Sequence, residues 1–170
     1  VERLQIAVGE ARTIEAEIIR AFRPLSGEKD TKEVVCLVVA SKTDATLKSC
    51  RGTLTKVERY KDGTGWAIGW TGSRDCLWSR NNRASIDIRP RITEFLSVVS
   101  TPKARTRGVR LAAEIDGNSE PSLERLLAWQ SKFRFTVVVT CENGDATSTI
   151  EVDGTLSWML LNPKVIDEPS

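Results

Sequence analysis

The chain has 170 residues, 40% of them hydrophobic, enough for one globular unit with a sizeable core. Its 25 basic and 23 acidic residues leave a formal net charge of +2, so no whole-chain field points to nucleic acid or to a membrane surface. No apolar run approaches the roughly 20 residues needed to cross a bilayer, and the absence of histidine removes Ser-His-Asp and Cys-His nucleophiles, HExxH zinc sites and the commonest general base near neutral pH.

The opening, VERLQIAVGE, lacks the basic-then-apolar layout of a signal peptide. Because the chain opens at Val1 and its one methionine is Met159, a fragment or processed product of a larger protein is expected. In TIEAEIIRAF, 13 to 22, Ile14, Ile18 and Phe22 have helical spacing while Ile14, Ala16 and Ile18 also alternate; a strand is favoured and a helix stays open. EVVCLVVAS, 33 to 41, and the segment 46 to 57 read as strands. Asp62-Gly63 then suggests a hairpin turn that sets Val57 against Ile68, Thr55 against Trp70 and Arg59 against Trp66, gathering Val57, Trp66, Ile68 and Trp70 on one core face; the longer connection KDGTG would shift that register.

In NNRASIDIRPRITEFLSVVS, 81 to 100, Ala84, Ile86 and Ile88 point one way while Arg83, Ser85, Asp87 and Arg89 point the other, which makes a half-buried strand over 83 to 88. Pro90 ends it, having no N–H for the ladder. A more thoroughly buried strand follows at 95 to 100, crossing to a second sheet at this corner, and another is expected at 109 to 115. PSLERLLAWQ, 121 to 130, reads as a short helix with Ser122 as N-cap. FRFTVVVTCENGDATSTIEVD, 133 to 153, is a hairpin about Asn143-Gly144, with Cys141 expected opposite Ala146, Val139 opposite Ser148, Val137 opposite Ile150 and Phe135 opposite Val152 on an apolar face, and a solvated face behind. The tail after Leu161 loses periodicity. At least seven short strands with turns between them predict an all-β, antiparallel β-sandwich with one short helix.

Chemistry-bearing motifs are sparse. GxGxxG, the phosphate-binding GxxxxGK and GxSxG are all absent, so neither a cofactor nor a catalytic residue is assigned. Counted from Asp116, the acidic stretch DGNSEPSLE, 116 to 124, has Pro121 at the sixth position of a calcium loop, which needs glycine, and the twelfth position beyond it is Leu127 where glutamate is needed, so it reads as a polar turn. Cys36, Cys50, Cys76 and Cys141 are too few for a disulfide scaffold and form no CxxC pair, so reduced thiols and no metal are expected. With no glycosylation sequon, this fits a cytoplasmic protein. Cys76, in SRDCLWSR, lies between Arg74 and Arg80; a reactive thiol there competes with a semi-buried structural cysteine. Trp66 and Trp70 are assigned to packing, leaving Trp78 and Trp129 freer to reach the surface.

The clearest polar signal is local. Between Arg74 and Arg110 there are nine basic residues and three acidic ones, and TPKARTRGVR, 101 to 110, supplies four of the nine. Arg89, Arg91, Lys103, Arg105, Arg107 and Arg110 are therefore the candidate contacts to an anionic partner, against the alternative of a solvated loop and ordinary exposed strand arginines.

Taken in order, LKSCRGTLTKVE, WAIGW, ASIDIRPRITEFLSVVS, FRFTVVVTCENGDATSTIEVD and a late LSW resemble an immunoglobulin-like β-sandwich domain of bacterial, often membrane-associated, proteins of uncharacterised function, over residues 33 to 158. Where such sandwiches usually turn on Pro-Gly, this chain has Pro90-Arg91. The resemblance implies that Cys36 and Cys141 occupy the positions of the inter-sheet cysteine pair, as two neighbouring core thiols, and that the parent protein is tethered to a membrane. It supplies no catalytic residue. The expectation is a non-catalytic interaction or accessory module that recognises a protein partner or an anionic surface through loops and strand edges. The alternatives are a carbohydrate-binding module using exposed Trp78 and Trp129, and a small enzyme working without histidine.

Overall fold

A computed structural model describes residues 14–17, 23–24, 31–32, 34–40, 44–100, 110–111, 121–142, 144–155 and 164–166. Twelve strands and one helix are described: β1 (Ile14–Glu17), β2 (Arg23–Pro24), β3 (Thr31–Lys32), β4 (Val34–Ala40), β5 (Leu47–Lys61), β6 (Gly65–Trp78), β7 (Ser85–Ile88), β8 (Thr93–Ser100), β9 (Arg110–Leu111), α1 (Pro121–Leu127), β10 (Lys132–Cys141), β11 (Gly144–Asp153) and β12 (Lys164–Ile166). Every strand pairing is antiparallel. The ambiguous segment at 13 to 22 is extended over Ile14–Glu17, and the expected strand at 109 to 115 is described only at Arg110–Leu111.

The all-β expectation holds, but the two sheets of a sandwich do not separate. One continuous sheet runs β1-β4-β8-β6-β5-β10-β11-β12, with β7 added on β5 and β9 on β8, and it curls into a half-barrel that brings β1 alongside β11 and β12. The cause lies in β5 and β6, strands of 15 and 14 residues that pass through the bend instead of stopping at it. Along β5 the buried residues are Leu47, Cys50, Gly52, Leu54 and Val57, so the spacing of two becomes three at 47 to 50 and again at 54 to 57. The pairing slips at those same places, between Leu47 and Cys50 and between Leu54 and Lys56. An extra residue on one strand sharpens local twist and bends the ladder while returning the next side chain to the core. The Thr55 hydroxyl donates to the Thr136 carbonyl at 3.3 Å beside the second slip.

β6 joins the two halves: its first part pairs β5, while Leu77 and Trp78 pair Ser97 and Leu96 of β8. The Arg-Pro-Arg corner ends one strand and starts the next, but it does not cross to a second sheet: β7 before it pairs β5 and β8 after it pairs β4 and β6, all within the one sheet. The β10–β11 ladder keeps the predicted faces in a different register. Cys141 meets Gly144, so Val139 lies opposite Ala146, Val137 opposite Ser148 and Phe135 opposite Ile150. Glu142 leaves the hairpin ladder because its N–H donates to the Lys48 carbonyl of β5 at 3.0 Å. Partner numbers shift by two, which leaves every side chain on its original side. Phe133, Phe135, Val137, Val139, Ile150 and Val152 are all fully buried. The face behind is less solvated than expected: Thr136 and Thr149 are buried with their hydroxyls 3.2 Å apart, and Glu151 is buried against Arg134 at 3.1 Å.

The helix forms at Pro121–Leu127, burying Leu123 and Leu127, and Leu126 lies over Gly69 of β6, where a Cβ would meet its methyls. Gly52 makes the tightest crossing in the core. A Cβ there would overlap the Leu96 methyls, and Leu96 is fully buried. Gly52→Ala should therefore lower unfolding free energy by about 1–3 kcal/mol through overpacking. Leu96→Ala alone should cost about 2–5 kcal/mol. In urea titrations the double variant should lose clearly less than the sum of the two.

Candidate functional site

The KDGTG connection takes its longer form. Lys61 pairs Gly65, the Thr64 N–H donates to the Lys61 carbonyl at 3.1 Å, and Gly63 and Gly65 supply φ of +85° and +83°. The register is thus one residue from that of a two-residue turn, with Tyr60 opposite Trp66 and Glu58 opposite Ile68. A slip at Gly69 then places Val57 opposite Trp70. Ile68 and Trp70, two apart and expected to share a core face, are separated by this bulge: Trp70 is buried and Ile68 is 62% exposed. The core-face assignment of Trp66 and Ile68 is corrected accordingly.

Two aromatic and arginine clusters result at the end of β5, one on each face of the sheet: Tyr60, Trp66 and Ile68 share a face with Glu58 and Arg134, while Arg59, paired with Ala67 and buried Phe133, takes the other. Tyr60 and Trp66 meet edge to face with centroids 5.5 Å apart, and the Arg134 guanidinium lies 4.0 Å from the Trp66 ring centroid while Arg134 Nε holds Glu151 Oε1 at 3.1 Å. Beside Tyr60 on β5, Arg59 lies 4.4 Å from the centroid of Trp129, an indole 59% exposed just past α1. The Ser131 hydroxyl donates to the Tyr60 carbonyl at 2.7 Å, fastening the segment after α1 to this end of the sheet. Stacked guanidinium groups hold indoles in place without covering their outer faces. Tryptophan, tyrosine and arginine are also the residues that dominate binding energy at protein interfaces. In the sequence the exposure of Ile68 beside Trp66 was signalled by the glycine between Ile68 and Trp70 and by the second glycine of KDGTG.

Trp78, read as free to reach the surface, is fully buried instead, its Nε1–H donating to the Cys50 carbonyl at 3.0 Å. A carbohydrate platform of Trp78 with Trp129 is therefore not assembled. Cys76 is also buried, and burial pushes its thiol up to about 12, the opposite of the activation that Arg74 and Arg80 suggested. Cys36 and Cys141 are not neighbours: Cys36 Sγ lies 3.6 Å from Ser79 Oγ and 3.8 Å from Ser97 Oγ, whereas Cys141 lies beside Cys50. All four thiols are free.

Of the anion-binding candidates, Arg89 and Arg91 flank Pro90 at the corner and are exposed. Arg91 Nη2 is 3.5 Å from Asp44 Oδ1 in a fully solvated pair. Arg110 pairs with Ser100 at the far end of β8 from that corner, so the structure separates it from Arg89 and Arg91. Lys103, Arg105 and Arg107, like the acidic stretch at 116 to 120, lie outside the described residues. Among the described residues, no group of three or more Cys, Asp and Glu is placed to hold a metal ion. No family model and no curated protein matches the chain.

The corner itself is strained. The Ile92 N–H donates to the Arg89 carbonyl at 3.2 Å, closing a turn in which Pro90 presets the first central position and Arg91 takes the second at φ +61°. A side chain in the left-handed region costs about 1–2 kcal/mol, and a solvated ion pair returns little of it. Close by, Ser49 is also left-handed, at φ +54°, its N–H donating to Asp87 Oδ1 at 2.9 Å. Arg91→Gly should raise unfolding free energy by about 0.5–1 kcal/mol, the relief of strain exceeding the entropy glycine adds to the unfolded chain. Chemical denaturation checks this; a less stable Arg91→Gly protein would mean that the arginine side chain is itself structural.

Proposed function

We propose that this domain is a non-catalytic interaction module of a larger protein and that it binds a protein partner through the surface formed by Tyr60, Trp66 and Ile68. The observation that carries this reading is Ile68, 62% exposed on the same face as Tyr60 and the Trp66 indole that Arg134 braces. Exposed apolar side chains rimmed by polar ones mark recognition surfaces. An immunoglobulin-like ancestry remains part of the proposal, supported by the order of tryptophan strand, proline corner and long hairpin. A second reading, contact with an anionic surface through Arg89 and Arg91, is supported by the backbone strain that the chain accepts to display Arg91.

A photoreactive residue substituted for Ile68 in the parent protein, in its own cells, should give a discrete adduct that Trp66→Ala reduces several-fold. The same probe at Arg89 should give none. Adducts from Arg89 alone, together with salt-steep heparin retention lost on Arg89→Ala and Arg91→Ala, would move recognition to the corner. No adduct from either position would overturn the interaction reading.

A further inference from the structure

Cys50 and Cys141 face each other where β10 runs out beside β5. The paired register reaches Thr140 opposite Arg51, and one more step along the two strands sets Cys141 against Cys50. Beyond them the Glu142 N–H donates to the Lys48 carbonyl, so the backbones stay together on both sides of the pair. Directly opposed residues on antiparallel strands have Cα atoms about 4.5–5.5 Å apart, within the roughly 4.4–6.8 Å that a disulfide spans. The Cys141 thiol lies within hydrogen-bonding reach of the Cys50 thiol. Access separates the two: Cys50 is fully buried, while Cys141 is only half-buried.

We propose that Cys50 and Cys141 are a redox modification site that a hydroperoxide closes into a cross-strand disulfide, with Cys141 meeting the oxidant and Cys50 resolving it. The Cys141 thiolate attacks one peroxide oxygen and the O–O bond breaks, giving a sulfenic acid and, once the departing oxygen is protonated, a first water (or an alcohol from an organic hydroperoxide). The Cys50 sulfur then displaces the sulfenic hydroxyl. The S–S bond forms as the S–O bond breaks, and the Cys50 proton leaves with the hydroxyl as water. The two thiols lose two electrons in all, and the peroxide gains two. No other cysteine competes for Cys141: Cys36 is held by Ser79 and Ser97, and Cys76 is buried opposite Gly52.

Burial, followed by the neighbouring Cys141, raises the Cys50 thiol to about 12. Once formed, the bond ties β5 to β10 beside the Ser49 bulge and the strained corner.

The test treats the native chain with hydrogen peroxide, blocks residual thiols in denaturant and maps tryptic peptides without reduction. The expected product joins Ser49–Arg51 to Phe135–Lys164 with the loss of two hydrogens, is reversed by dithiothreitol, forms unchanged in Cys76→Ser and is absent in Cys141→Ser. In intact protein the oxidised form should also melt at higher temperature than the reduced form. Accumulation of sulfinic acid on Cys141 with Cys50 still alkylatable, or a link through Cys36 or Cys76, would overturn the proposal. Mapping the unsubstituted chain decides it even if a cysteine variant fails to fold.

Discussion

Trp78 holds the two halves of this sheet in one curve. It ends β6 at the point where that strand leaves β5 and pairs with β8, and its indole is fully buried with Nε1–H on the Cys50 carbonyl. A buried indole must satisfy its one donor, and the acceptor here belongs to the other half of the sheet. The same side chain therefore fills the concavity and fixes the distance across it. Around it, the Trp78 N–H donates to the Arg83 carbonyl, the Asn82 N–H to the Trp78 carbonyl and the Ser79 N–H to the Phe95 carbonyl, so the backbone that presents the indole is held on both sides.

The bulges complement this constraint. A flat ladder carrying strict period-two alternation along β5 would have ended at the bend or turned its apolar residues outward. By adding a residue at Ser49 and again at Thr55, the strand bends twice and still delivers Cys50, Leu54 and Val57 to the core. The same device at Gly69 has the opposite consequence for Ile68, left in solvent beside Trp66 and Arg134. One structural element thus produces both the curvature of the fold and the surface proposed for recognition.

Much of this was legible from alternation alone. Val137, Val139, Ile150, Ile86 and Ile88 are buried as their spacing required, and the helix stands where Pro121 and the leucines put it. Alternation reports which face a side chain takes, and it is blind to shifts of two. For that reason the β10–β11 faces were readable and their partners were not. It fails outright at bulges, which accounts for Ile68 and for two sheets being expected where one curled sheet forms. Trp78 escaped because a tryptophan in a polar neighbourhood, SRDCLWSR, gives no local sign that its acceptor is a carbonyl 28 residues away. The thiol partners were obscured for the same reason: opposition of Cys50 and Cys141 depends on β5–β10 pairing, a contact far apart in sequence.

The decisive measurement is hydrogen–deuterium exchange of the tryptophan indole protons by NMR. If the Trp78 indole ties the two halves together, its Nε1–H should exchange only through global unfolding, with a protection free energy equal to that from denaturant titration, while the exposed Trp129 indole exchanges almost at once. Rapid exchange of the Trp78 proton in the folded protein would mean that the sheet keeps its curve without this bond.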